Sequence, residues 1–184
     1  MAEIKNSKQE SFWVLLAQSG DKDAFNKLLE AVQAPLYRYI YRMVGERELA
    51  EDILQEVFII IYRKIGWLNE PKLFRAWAYR IASREAFKHL KKERRWSEQI
   101  RDDEILEAIP FQPLDSIYET ELIEKLPALV LKLSPASRAV LVLHYLHDLP
   151  LAEIAEILGI ALGTVKSRLA YGLENLRGEI NKKE

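Results

Sequence analysis

Residues 151–177 read LAEIAEILGIALGTVKSRLAYGLENLR, and the spacing of three of them sets the class of the chain. Ala155 is small enough for two helices to cross closely, Gly159 permits a left-handed turn, and the β-branched Val165 can plug the shared core. That is the pattern of a helix-turn-helix, and Ile154, Leu158, Ile160 and Leu169 complete its core. The second helix of such a unit lies in the major groove and turns its N-terminal residues toward base edges. Thr164, Lys166, Ser167, Arg168 and Tyr171 are the expected outward positions. Lys166 and Arg168 can reach either guanine or phosphate. A plain helical hairpin would not need all three constraints at once.

Working upstream, Ser134 is a good N-cap and Pro135 a good first helical residue, which opens a helix from Ala136 to His147. Pro150 opens a short helix ending at Gly159, and a last helix runs from Leu162 beyond Arg177. His144 and His147 read as a polar face rather than metal ligands, because no third ligand is evident; no metal or other cofactor is expected. In the first half, Phe25, Leu28, Leu29, Val32, Leu36, Tyr39, Ile40 and Met43 recur at helical spacing, with Pro35 expected to break or kink the stretch and Gly45 to end it. A second helix is expected from Arg47 to Ile65. A third, capped by Asn69 or Glu70 and opened by Pro71, is expected to run to Lys92. Periodicity fades from Trp96 to Ser116, where Pro110 and Pro113 fall. The expected architecture is therefore all-α: a helical domain over 1–95, a linker over 96–116, and a helix-turn-helix domain over 117–184.

Charge divides along the chain. Between Pro71 and Arg101 there are ten basic and three acidic residues, a net of +7; between Asp102 and Glu124 there are eight acidic residues and no base. The overall charge of −1 hides this segregation, which points to regional electrostatics and to an acidic linker able to mask a basic stripe. The absence of cysteine excludes a disulfide framework and suits a reducing compartment. The N-terminus does not read as a signal peptide, and the apolar run Val57 to Tyr62 is too short to span a bilayer. A soluble cytoplasmic protein without membrane insertion is expected.

Two surfaces of the first domain carry chemistry. On the helix 47–65 the face away from the core presents Asp52, Gln55, Glu56, Ile59 and Arg63, an apolar side chain inside a polar rim, as protein-binding patches are built. On the next helix Arg80, Arg84, Lys88, Lys91 and Arg95 share a stripe that can track a phosphate backbone. The loop before it holds Trp67 and Asn69, and an exposed aromatic beside a basic helix suits stacking on unpaired bases. Phe74 and Trp77 have core spacing instead.

Together these stretches resemble the extracytoplasmic-function (ECF) group of the bacterial sigma-70 RNA polymerase sigma factors. AEDILQEVFIIIYRKI is similar to the family's core-polymerase-binding helix, FRAWAYRIASREAFKHLKKERR to its minus-ten segment, and LPLAEIAEILGIALGTVKSRL to the helix-turn-helix that reads the minus-thirty-five element. The resemblance covers about residues 20–95 and 120–178, in the family's order. It implies that Asp52, Gln55, Glu56, Phe58, Ile59 and Arg63 dock on the β′ clamp helices of core RNA polymerase, with the β flap a further contact. It implies that the 66–73 loop holds a flipped base, and that Trp67, Asn69, Lys72, Arg75, Arg80, Arg84, Lys88 and Lys91 handle the minus-ten DNA, single-stranded once melted. Thr164, Lys166, Ser167, Arg168 and Tyr171 would read the upstream duplex. It further implies a stress-responsive initiation factor, not an enzyme, held by an anti-sigma factor that can tether it to a membrane. The chain departs from the pattern at Arg84, where Asn is common, at Ala161, where Pro is common, and at Ala170-Tyr171-Gly172-Leu173, where more bases and an aromatic are usual. Fewer phosphate contacts there predict weaker, less salt-sensitive upstream binding.

Two other classes compete. A stand-alone repressor or activator would bind a palindrome without polymerase. A helical enzyme would need a convergent titratable cluster, and the sequence offers no HExxH, no phosphate loop and no cysteine.

Overall fold

The computed structural model describes residues 8–96 and 120–181, and its described elements are all helical. They are α1 (Lys8–Gln18), α2 (Lys22–Val44), α3 (Arg47–Lys64), α4 (Phe74–Trp96), α5 (Thr120–Leu131), α6 (Pro135–Tyr145), α7 (Leu151–Leu158) and α8 (Leu162–Asn181), with 3₁₀ turns at Ile65–Trp67 and Pro71–Leu73. The expected linker lies almost wholly outside the described residues, and so does the proposed masking of the basic stripe by its acids.

Local chemistry sets most boundaries. Asp21 caps α2, its carboxylate accepting from the Ala24 N–H at 3.0 Å. Gly45 ends that helix in the left-handed region (φ 79°) and donates its N–H to the Tyr41 carbonyl at 2.8 Å. Ser134 caps α6 as expected, accepting from Ser137. Gly159 turns α7 into α8 at φ 67°.

The structure differs from expectation at two points. Of the break or kink expected at Pro35, the break does not occur: α2 continues through it. Leu28 and Val32 before it, and Leu36, Tyr39, Ile40 and Met43 after it, are all buried, so packing on both sides outweighs the lost backbone bond. Asn69 and Glu70 do not cap α4. The chain enters through the Pro71–Leu73 turn, and the Glu70 carboxylate is drawn away to Lys72 at 3.1 Å.

The α1–α4 and α5–α8 halves share one continuous core. α6 lies against α2, and α7 against α4. Leu131 of α5 rests on Gly45: a Cβ built there would meet Leu131 Cδ1 at 2.7 Å. Gly45→Ala combines that clash with a left-handed backbone unfavourable to alanine, so urea unfolding should show a loss of about 1–3 kcal/mol.

Arg138 of α6 is buried at 7% exposure. It donates to the carbonyls of Met43 and Leu131, at the ends of α2 and α5, and to Leu133 at 2.9 Å. Beside it, Tyr39, Tyr79 and His147 form an edge-to-face cluster, with ring centroids 5.3–6.0 Å apart. His147 is therefore not part of a polar face: it is 4% exposed and lies 2.9 Å from the Tyr79 hydroxyl through Nδ1. His144 is half-buried and donates from Nδ1 to the Leu149 carbonyl at 2.8 Å. Among the described residues no cluster of three His, Cys, Asp or Glu could hold a metal. Among the same residues, no helix is long and apolar enough to cross a membrane.

Candidate functional site

α3 buries Ala50, Ile53, Leu54, Val57 and Ile61, which leaves Asp52, Gln55, Ile59 and Arg63 exposed on the opposite face. Ile59 is 50% exposed, and Tyr62, one turn on, is 66% exposed with its ring edge-on to Phe25 at 5.4 Å. Tyr62 extends the apolar centre of the patch. The sequence reading missed it, although its spacing of three from Ile59 places it on that face. Phe58 behaves differently: it packs against the core, and so supports the patch from behind.

Glu56 sits between this face and α4. His89 Nε2 approaches its carboxylate oxygens at 3.2 and 3.3 Å, and Lys88 Nζ approaches at 3.5 Å. Partial burial pushes the carboxyl up, but the His89 bond and the His89 and Lys88 charges outweigh it, holding Glu56 below the usual carboxylate range. The polar rim thus carries a fixed negative charge near neutrality.

The loop after α3 is anchored at two points. Gln18 of α1 donates from Nε2 to the carbonyls of Ile65 (2.9 Å) and Leu68 (2.8 Å), and both of those side chains are buried. Trp67 lies between them and is 74% exposed, with Lys64 Nζ 5.9 Å from its ring centroid. A large aromatic surface is held outward on fixed backbone. Asn69 and Lys72 are exposed beside it, and Lys72 is paired with Glu70.

The basic stripe is less uniform than its spacing. Arg84 and Lys91 are exposed. Lys88 is exposed but bridges Glu85 at 2.7 Å as well as Glu56. Arg80 is half-buried and donates from Nη2 to the Glu156 carbonyl of α7 at 2.5 Å. Arg75 points elsewhere. It forms a two-bond pair with Glu10 of α1 (2.8 and 2.5 Å), both side chains largely buried, so its guanidinium is committed to holding α1 in place. The side chain of Arg95 lies outside the described residues.

In the helix-turn-helix, Ile154, Val165 and Leu169 are fully buried, and Ala155, Leu158 and Ile160 pack on them. Lys166 is exposed, while Thr164, Arg168 and Tyr171 are half-buried. Burial lowers the Arg168 pKa from its ordinary value, yet an arginine stays charged. Ser167 donates its hydroxyl proton to its own helix, with the Gly163 and Thr164 carbonyls both at 3.1 Å. Ala170 is buried, and Gly172 faces Leu141, where a Cβ would stand 3.1 Å away. The departures from the family pattern at these two positions therefore face the core rather than DNA.

Residues 28–96 match Sigma-70 region 2, and residues 123–176 match Sigma-70, region 4. The ECF RNA polymerase sigma factor SigW of Bacillus subtilis is 34% identical over 174 residues, covering 89% of this chain and 92% of its own. The chain belongs to the ECF sigma factors. As a sigma factor it directs promoter-specific initiation by RNA polymerase and is not itself an enzyme. Two solved structures share this sigma factor's fold. CnrH in complex with the cytosolic domain of CnrY gives a TM-score of 0.72 at 19% identity, covering 96% of this chain and 100% of that one. The sigma factor RpoE in complex with the anti-sigma factor NepR, from Bartonella quintana, gives 0.66 at 21% identity, covering 88% and 98%.

Proposed function

We propose that the exposed face of α3 is the core-polymerase contact, that the Trp67 loop with α4 melts and holds the minus-ten element, and that α8 reads the minus-thirty-five duplex. The observation that carries this reading is Ile59, half-exposed among Asp52, Gln55 and Arg63, on a chain that also holds a helix-turn-helix. Asp52, Gln55, Glu56, Ile59 and Arg63 make the contact on this reading, with Tyr62 added and Phe58 behind them.

For DNA, Trp67, Asn69, Lys72, Arg84, Lys88 and Lys91 act at the opened strand, joined by Arg80 once it leaves Glu156. Lys166, Arg168, Thr164 and Tyr171 face the upstream duplex, and Ser167 contributes through helix geometry. The division of labour places residues 1–95 at the polymerase and the opened DNA, and residues 117–184 upstream. Control by an anti-sigma factor belongs to the same reading and is supported by the RpoE structure, in which a protein of this fold is bound to the anti-sigma factor NepR; a cytoplasmic setting goes with it.

Base opening is the step to test. A stacked base contributes roughly 1–3 kcal/mol, so Trp67→Ala should slow open-complex formation by about ten- to a hundredfold on duplex promoters. It should have little effect on a template already mismatched over the minus-ten segment. Stopped-flow fluorescence of a reporter base on the non-template strand checks both arms. Equal loss on both templates would remove Trp67 from the opening step.

A further inference from the structure

The contact between the two halves has a cost for the function proposed above. With α7 laid on α4, Arg80 is spent on the Glu156 carbonyl, and Tyr79 and Ser83 are buried in the same face of α4. An α4 covered in this way cannot present that part of its stripe to a phosphate backbone. Both helices must part before α4 and α8 can reach two separate DNA elements.

The contact centres on Tyr79, whose hydroxyl meets an imidazole and whose backbone carbonyl accepts from a serine. Ser83 donates to the Tyr79 carbonyl at 2.8 Å, the Tyr39 hydroxyl lies 2.8 Å from Ser83 Oγ, and the Tyr79 hydroxyl lies 2.9 Å from His147 Nδ1. His147 is delivered by the turn between α6 and α7, where Asp148 takes a left-handed backbone (φ 52°), a conformation aspartate tolerates better than most residues. The charged and titratable groups around the ring are Arg38 and Tyr39 from α2, Tyr79 and, beyond it, Arg75 from α4, and Asp148 from the turn. Burial raises the pKa of both tyrosines well above the ordinary value, so they stay neutral.

We propose that the Tyr79–His147 contact is a proton-sensitive latch that holds the two halves of this sigma factor closed and keeps Arg80 from DNA. Neutral imidazole fits the site: it accepts the Tyr79 hydroxyl and carries no charge among the rings. Protonation places a cation in a desolvated cluster already facing Arg38 and removes that acceptor. Burial and Arg38, partly offset by Asp148, lower the His147 pKa from 6.5 to about 4 in the closed state. The sign follows. Closure is undiminished above pH 6.5, weakens as pH falls through the window from 6.5 to 4, and loses no more below it. With an ordinary histidine in the open state, the open-to-closed ratio rises about tenfold at pH 5.5 and about thirtyfold at pH 5 relative to pH 8. Only the role of Arg80 in DNA contact rests on the proposed function.

The test uses the full chain without polymerase or DNA, so its failure is separable from failure of the functional reading. The chain has no cysteine, so Gln33→Cys on α2 and Glu174→Cys on α8, both exposed, accept a spin-label pair cleanly. At pH 8 the distance distribution should be single and narrow, and a longer population should grow between pH 6.5 and 4.5. In a His147→Gln background, which keeps an acceptor for Tyr79 but does not titrate, that growth should vanish. Tyr79→Phe should raise the open fraction at pH 8. Far-UV circular dichroism confirms that helices persist in every sample. An unchanged distribution in the wild type down to pH 4.5, or the same acid transition in His147→Gln, overturns the proposal.

Discussion

Arg138→Ala should lower the unfolding free energy by about 4 kcal/mol. The guanidinium reaches three backbone carbonyls, and two of them, Met43 and Leu131, belong to the last turns of α2 and α5. Such carbonyls have no partner within their own helix. A hydrogen bond to a charged group contributes about 1.5–3 kcal/mol, and truncation also leaves an unfilled volume under α6. The release of a buried charge offsets part of this sum. Arg138→Lys should recover less than half of the loss, since one ammonium cannot copy a planar fork. Arg138→Met should recover part through packing alone. Urea unfolding followed by circular dichroism measures all three. A loss under 1 kcal/mol for Arg138→Ala would mean that the carbonyls find other donors, and that the two halves are not joined through this residue.

Ile59→Asp should weaken binding to core polymerase at least thirtyfold while leaving folding stability within about 0.5 kcal/mol. Interface energy concentrates in a few central side chains whose truncation costs 2 kcal/mol or more, ringed by polar residues that exclude water. Ile59 has that setting, with Tyr62 beside it and Asp52, Gln55 and Arg63 around it. A carboxylate there must be desolvated without a partner, next to the charge that Lys88 and His89 hold on Glu56. Being half-exposed in the free chain, the position tolerates the change before binding. Biolayer interferometry with immobilised core enzyme gives the ratio. Wild-type affinity in Ile59→Asp, with the fold intact, would move the contact off α3.

Much of this was readable from local rules. Gly45, Ser134 and Gly159 act within one turn of themselves, so the sequence alone places the ends they set. The helix-turn-helix core was equally legible, because Ala155, Gly159 and Val165 meet through a short turn. Ile59 could be picked out because an apolar side chain on the polar face of a helix breaks its period. What escaped depends on partners far along the chain. Arg75 shares the basic character of its neighbours and only Glu10, 65 residues away, distinguishes it. His147 looks polar until Tyr79, 68 residues away, closes over it. Arg138 is unremarkable in sequence and becomes central through Met43, 95 residues away. Pro35 shows the same limit from the other side, since a local breaker yields to packing contributed by the whole core.

The most direct measurement is run-off transcription by sigma-free core polymerase reconstituted with this chain on fragmented bacterial DNA, with every start mapped. The account predicts a discrete set of start sites sharing a start-proximal and an upstream motif at fixed separation, lost together in Ile59→Asp. Starts no more frequent than with core enzyme alone, from a chain whose helicity is intact, would contradict it.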